Sequence, residues 1–441
     1  MRSHWSGRLA FILAASGSAI GLGNIWKFPY ITGENGGGAF VIIYLLTILI
    51  VGLPIFIAEV YIGQNAQKNA VSAFNVIHGK PSPFRAIGVL GILSAFLILS
   101  FYSVVGGWIL SFEYKVLTGA FTDATPETIS GMLGGLLGDW KSLLFWHTLF
   151  MLITAGIVVG GIKGGIERGA KILMPGFFVL LTLLLFITMS LDGFGDAFAF
   201  LFQPDFSKLT GKSILEAVGH SFFTLSLGMG AMITYGSFLE KKEQVFKIAI
   251  AVCALDTIVA VMAGLVMFSV TFTYGQEPSS GPALMFSTMP MLFSQMTGGT
   301  YLLAAFFALV TFAALSSAIS LLEVVVAYFS EERNMSHKKA TVIFAGIIWA
   351  VGILCALSFN VLSGVFDFFD FFDKSTTHVL MPFGGLLTAI FFGWIIPEEK
   401  VYGIFGGPTT AARCIRFISR FIAPTAVAVV MIVGLSDWIT G

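Results

Sequence analysis

Apolar residues run along this chain in long continuous blocks, separated by short polar stretches that carry most of the charge. A bilayer core takes about 20 apolar residues per helix. Eleven blocks reach that length, near 8–36, 39–65, 85–117, 142–161, 167–190, 213–239, 243–274, 298–330, 339–358, 362–395 and 411–438. They do not alternate residue by residue, which excludes a membrane barrel. The pattern predicts an all-α polytopic membrane protein of eleven transmembrane helices. The longest blocks exceed one bilayer thickness, so they tilt, bend or project. The first block is too long for a signal peptide and lacks a small-residue cleavage pattern, so it reads as a span.

Two blocks are weakened at their middles. The first holds GSAIGLGNIWKFP, with Gly21-Leu22-Gly23, and the sixth holds FTLSLGMG, with Gly228-Met229-Gly230. A glycine costs about 1 kcal/mol in a helix interior relative to alanine. Unwound backbone in hydrocarbon is tolerated only where it is buried in protein or lines a cavity. A break frees N–H groups at a positive helix end and C=O groups at a negative one. The first suit a carboxylate; the second suit a small cation or an ammonium. The breaks lie five spans apart, and a five-helix unit ends on the side opposite its start. Two such units in tandem sit oppositely oriented, a 5+5 inverted repeat with residues 1–190 as the first unit, 191–395 as the second and 396–441 as an additional helix. Glycine-interrupted helices at matching places in two halves point to a transport site. Glycines also serve close helix packing. Nucleotide binding fits poorly: Gly21 to Trp26 lacks the third glycine of a dinucleotide fingerprint, and Phe206 stands where a P-loop before Gly211-Lys212-Ser213 needs a glycine.

Composition agrees with lipid as the solvent. Of 441 residues 56% are hydrophobic and 11% charged, against about 25% charged in soluble domains. Net charge is zero, so no nucleic-acid partner is implied. Cys253, Cys355 and Cys414 are isolated and form neither a disulfide framework nor a zinc motif. Eighteen of the 24 Lys and Arg fall in the loops on one side and four on the other. This bias places the N-terminus in the cytoplasm and the C-terminus outside.

Charges inside spans need a reason, at about 2.5–3.5 kcal/mol each on insertion scales. Glu59, Asp256, Glu323 and Lys374 are such groups. No nucleophile–base pair or metal-ligand cluster lies on the spans, so no enzyme is expected.

Longer motifs carry a resemblance. RSHWSGRLAFILAASGSAIGLGNIWKFPYITGENGGGAF, GGIERGAKILMP, SFFTLSLGMGAMITYGSF and AALSSAIS resemble the first, fifth, sixth and eighth helices of the neurotransmitter:sodium symporter family, nearest to its bacterial amino-acid transporters of the LeuT type. The resemblance runs from the N-terminus to about Arg420 and implies a LeuT-like fold in a bacterial inner membrane. It implies two sodium sites. The first would use the Ala19 carbonyl, Asn24, Thr224, Asp256 and the substrate carboxylate. The second would use carbonyls of Gly17, Ile20 and Ala313 and the hydroxyls of Ser316 and Ser317. These are hard oxygen donors, as a hard cation requires. The substrate carboxylate would meet the N–H groups of Leu22 and Gly23 and the Tyr102 hydroxyl. Its ammonium would meet carbonyls of Ala19, Phe223 and Thr224 and the Ser226 hydroxyl. Ile98, Tyr102, Phe223, Met229 and Leu321 would line the side-chain pocket.

By the same resemblance, Lys27 and Asp370 would form an outer gate above Phe223 and Tyr102. Arg2 and Glu331, with Trp5, would form an inner gate. Glu59 would accept N–H groups freed in the sixth span. Gly165 and Pro175 would let the fifth span unwind, a static kink being the other reading. Asp256 would supply the charge that chloride supplies in other members, so chloride is not expected as a cofactor. Glu323 and Lys374 have no expected role, and His220 is expected as a packed polar residue facing the vestibule. No charge lines the side-chain pocket, and Met229 adapts to irregular shapes. The expected function is sodium-coupled import of hydrophobic L-amino acids, aliphatic to aromatic. A carrier of another small zwitterion or amine on the same fold, or a sodium-conducting channel, is the alternative.

Overall fold

The computed structural model describes residues 4–79, 81–122, 124–276 and 284–440, and among these only helices, turns and bends occur. In chain order the membrane-sized helices begin with a bent pair, α1 (Arg8–Ala19) and α2 (Gly23–Glu34), which meet at 51°. Then come α3 (Gly38–Ala66), α4 (Arg85–Leu117), α5 (Trp140–Val158) and α6 (Ile162–Thr188). Two short helices follow, α7 (Gly211–Thr224) and α8 (Ala231–Gly236). The chain continues through α9 (Val245–Thr273), α10 (Gly299–Glu332), α11 (His337–Leu357), α12 (Phe368–Ile395) and α13 (Thr410–Ile439).

Among the described residues, nine helices are long and apolar enough to cross a bilayer, or ten with the bent pair taken as one span. They coincide with ten of the eleven apolar blocks to within a few residues. The remaining block, 213–239, is occupied by α7 and α8 with non-helical backbone between them. The tenth block starts later than its apolarity indicates: residues 358–365 form turns and the helix begins at Phe368.

The bundle is organised around α4 and α10, which pack along each other, with α1 and α6 against α10. Close approach is set by glycine where it is needed. A Cβ on Gly107 would lie 2.7 Å from the His147 nitrogen, so α5 seats directly on α4. Gly165 lets the start of α6 fold back on the end of α5, since a Cβ there would lie 2.0 Å from the Ile157 oxygen. The first turn of α6, Ile162–Glu167, is π-helical. Pro175 then stands inside a helix that continues from Arg168 to Thr188.

The loops hold shorter helices that the hydropathy pattern does not announce. Ala70–His78 is capped by Asn69, whose side chain accepts from the N–H groups of Val71 and Ser72. Pro126–Gly138 and Phe194–Phe202 are two more.

Candidate functional site at two helix breaks

The two breaks face each other. Helix α1 ends at Ala19, Ile20 is extended (φ −73°, ψ 98°), and the chain resumes helically at Gly23. Helix α7 ends at Thr224, and the stretch to α8 passes three left-handed residues, Ser226 (φ 53°), Gly228 (φ 75°) and Gly230 (φ 73°). A left-handed φ is open to glycine and strained for serine. Gly228 is further constrained, because a Cβ would lie 2.0 Å from the Met381 oxygen. Its N–H donates to Oε1 of the fully buried Glu59 at 2.8 Å. A donor freed by the break thus meets a carboxylate reaching across from α3.

Serine hydroxyls join the breaks. The Ser18 carbonyl accepts from the Ser226 hydroxyl at 2.7 Å and from the Ser317 hydroxyl at 3.1 Å. The Ser18 hydroxyl donates to Ser320 Oγ at 2.7 Å. Both hydroxyls on that carbonyl spend their protons there and keep lone pairs for other partners. The sequence assigns no ligand role to Ser18, which precedes the first Gly-x-Gly, or to Ser320, which closes the serine-rich AALSSAIS.

A cavity of about 30 Å³ lies at the crossing, lined by Ala19, Leu22, Gly23, Ile98, Tyr102, Phe223, Ser226, Met229, Ser317 and Leu321, with Ser18 and Gly21. All the residues expected for the substrate pocket except Thr224 line it. Thr224 is buried behind them, its hydroxyl turned to Asp256. The Tyr102 hydroxyl is buried in this wall without a hydrogen-bond partner of good geometry. A second cavity of about 400 Å³ lies beyond and shares Leu22, Tyr102 and Phe223 with the first. These three residues are the partition between the two spaces.

Asp256 is the centre of charge. It is fully buried on α9. Its Oδ1 accepts from Asn24 Nδ2 at 2.8 Å and Thr224 Oγ1 at 2.9 Å, and its Oδ2 from the Tyr44 hydroxyl at 3.2 Å. Asn24 Oδ1 in turn accepts from the Gly21 N–H at 3.1 Å. Among the described residues no basic side chain comes within 4 Å of the carboxylate. Buried charges are ordinarily paired or bound to a metal ion. Neutral donors and a carboxylate at a helix break fit a small hard cation. Tyr44 was not foreseen, since a tyrosine in an apolar run gives no sign of what its hydroxyl reaches.

The residues expected for the second sodium lie together at the junction of α1 and α10. Ala313, Ser316 and Ser317 share one turn of α10, and the Ser316 hydroxyl donates to the Ala313 carbonyl at 2.9 Å. Gly17 faces them: a Cβ there would lie 3.2 Å from Ser316 Cβ and 3.0 Å from Met174 Sδ. Ile20, at the break, is fully buried.

The gate residues divide. Lys27 lies with its ammonium 4.9 Å from the Phe223 ring centre, over the partition. Its expected partner Asp370 is elsewhere: it is half-exposed and paired to Lys374 at 2.8 Å, one helical turn along α12. Asp373 lines the same cavity as Lys27, and Glu216 borders a neighbouring one that Lys27 also lines; these two acids face its ammonium. Asp370 and Asp373 differ in helix phase. The repeat DFFDFFDK sets acids at 367, 370 and 373, and a three-residue step on a 3.6-residue turn rotates each about 60° from the last.

At the other end, Trp5 is buried, its Nε1 donates to the Tyr235 oxygen at 3.0 Å, and its ring packs edge-on to Phe11, Tyr235 and Phe238. Ser6 N–H donates to Glu167 Oε2 at 2.9 Å, tying the N-terminal segment to α6. Arg2 lies outside the described residues. Glu331 accepts from the Asn69 N–H at 3.0 Å and Nδ2 at 3.1 Å. Glu323, fully buried, pairs with His337 Nε2 at 2.9 Å. His220 packs between Phe28 and Tyr44 and borders a side cavity next to Lys27.

Comparison with known proteins follows the same lines. The sequence matches the sodium:neurotransmitter symporter family over residues 2–128 and 137–439. It is 36% identical to the uncharacterized sodium-dependent transporter YhdH of Bacillus subtilis, over 97% of this chain and 96% of that one. An uncharacterized sodium-dependent transporter of Haemophilus influenzae is 33% identical over 98% of each chain. Among solved structures, the crystal structure of MhsT in complex with L-phenylalanine superposes with a TM-score of 0.91 at 42% identity, covering 98% of this chain and 99% of that one.

Proposed function

We propose that this chain, which belongs to the sodium:neurotransmitter symporter family, imports hydrophobic L-amino acids by sodium-coupled alternating access. The observation that carries the reading is Asp256: a fully buried carboxylate with neutral donors only, set where two broken helices meet. Members of the family are transporters, not enzymes.

Two sodium ions enter as co-transported substrates. One is held by Ala19, Asn24, Thr224 and Asp256, with the amino acid's carboxylate completing the shell. The other is held by Gly17, Ile20, Ala313, Ser316 and Ser317. The shared carboxylate makes each ligand raise the other's affinity by the same factor. Leu22 and Gly23 N–H groups and the Tyr102 hydroxyl hold the carboxylate; the Ala19, Phe223 and Thr224 carbonyls face the ammonium.

The small cavity has room for about one or two waters, so substrate enters as Phe223 and the flexible Met229 shift. Phe223, weighted by Lys27 and Asp373, then closes the partition. Release follows when Trp5 and Ser6 leave their partners on the far side. The wall of the pocket carries no ionised side chain, so a charged substrate side chain would be left unpaired. L-Phenylalanine, the ligand of the MhsT structure, is of the class expected here. In this reading the N-terminus is cytoplasmic, which the loop-charge bias supports, and chloride is not required because Asp256 carries the negative charge.

A binding screen of the twenty amino acids by thermal shift tests the specificity. Leu, Ile, Val, Phe and Trp should stabilise the protein with sodium and not in its absence. Stabilisation by Gly, Glu or Lys alone would contradict it.

A further inference from the structure

The start of α13 reads TAARCIRFISRF, with Arg413, Arg416 and Arg420 spaced three and four apart. That spacing places the three guanidiniums along one side of the helix. Among the described residues no carboxylate lies within 4 Å of any of them. Nearby Glu398 is engaged by the Tyr402 hydroxyl.

Arg416 is 8% exposed, and among the described residues its one hydrogen bond is a long contact of 3.5 Å from Nη1 to the Ile396 oxygen, just past the carboxyl end of α12. A single carbonyl is thin compensation for a buried guanidinium. Among the described residues, the Nε atoms of Arg416 and Arg420 and the Ser419 hydroxyl are all buried without a partner.

Their surroundings mark a membrane boundary. The Arg420 guanidinium stacks 4.5 Å from the Trp394 ring, and Trp394 Nε1 donates to the Arg420 oxygen at 3.1 Å. Trp394 is 50% exposed, at the end of α12, with Phe417 and Phe421 exposed alongside. Tryptophan at a span end sits at headgroup level, and exposed phenylalanines there face acyl chains. The backbones of α12 and α13 meet tightly: a Cβ on Gly393 would lie 3.0 Å from Arg420 Cα. The arginines therefore stand where two span ends meet, at headgroup depth.

We propose that Arg413, Arg416 and Arg420, beside Trp394, bind the phosphate of an anionic phospholipid. The guanidinium fork matches phosphate oxygens. The exposed phenylalanines extend the site toward acyl chains, which a free phosphate ion would not use. A basic pocket between spans at the membrane surface is suited to an anionic headgroup.

The test uses the full chain in a neutral detergent, with phosphatidylglycerol, phosphatidylcholine and inorganic phosphate as separate probes. Binding is read by native mass spectrometry and thermal shift. Phosphatidylglycerol should bind about tenfold or more tighter than phosphatidylcholine, and inorganic phosphate should not stabilise the protein. The double variant Arg413→Gln/Arg420→Gln spares the buried Arg416 and should bring the two lipids to near equality. Lys141→Gln, at an exposed position on α5, should leave the preference intact. Equal binding of the two lipids by the unaltered chain, or a preference that survives the double variant, would overturn the proposal. Stabilisation by inorganic phosphate equal to that by phosphatidylglycerol would overturn the lipid as occupant.

Discussion

The Ser226 hydroxyl donates to the Ser18 carbonyl at 2.7 Å, pinning the break of one helix to the break of the other. Ser18 lies between Gly17 and Ala19, the carbonyls proposed for the two sodium ions, so this bond fixes the backbone that both ions use. Ser226 also holds a left-handed φ of 53°.

Two variants separate these effects. Ser226→Ala removes the hydrogen bond and keeps the strain; Ser226→Gly removes both. A net hydrogen bond is worth about 1 kcal/mol, or about fivefold in an equilibrium. Both variants should raise the half-saturating sodium concentration by about fivefold, with Ser226→Gly at least as stable to heat as Ser226→Ala. Unchanged sodium dependence in both would show that the bond does not organise the sites.

Gly228 tests the other break. Its left-handed φ alone costs an alanine about 1–2 kcal/mol, and the contact with the Met381 oxygen adds to that. Gly228→Ala should lower thermal stability and abolish substrate binding. Gly156→Ala, on α5 with open space at its Cβ, should be neutral or stabilising by about 0.5–1 kcal/mol. Glu59→Leu leaves the Gly228 N–H buried and unpaired, costing about 1–3 kcal/mol.

The acids of α12 should separate in function. Asp373→Asn should lower uptake several-fold, because an acid that shares the outer cavity with Lys27 is lost. Asp370→Asn removes an exposed pair with Lys374, worth about 0–1 kcal/mol, and should leave uptake within about twofold. The reverse ranking, measured as initial rates, would return the gate to Asp370.

Chloride replacement probes Asp256. Uptake in sodium gluconate should equal uptake in sodium chloride for the unaltered chain. Loss of transport without chloride would show that the Asp256 carboxylate does not fill the anion's role.

The sequence made the spans legible because each apolar block is longer than any loop helix. It made the breaks legible because Gly-x-Gly interrupts two of them at matching places. Amphipathic loop helices such as Ala70–His78 escaped, since a short segment on a membrane protein's rim has no hydropathy contrast. The resemblance points to Asp370, while three acids at equal spacing in DFFDFFDK differ only in helix phase, which residue type does not show. Tyr44 on Asp256, Ser320 on Ser18 and His337 on Glu323 are contacts between residues far apart in the chain. Residue type alone does not pair them. What the residues did announce was a need: an acid buried in a span requires a partner, and Glu59, Asp256 and Glu323 each have one or more.

Purified protein in liposomes, given labelled L-phenylalanine and an inward sodium gradient, tests sodium-coupled amino-acid import most directly. Expected is saturable accumulation above the external concentration, collapsing when the gradient is dissipated and lost in Asp256→Ala. Equilibration without accumulation, or a sodium flux that neither saturates nor depends on the amino acid, would contradict it.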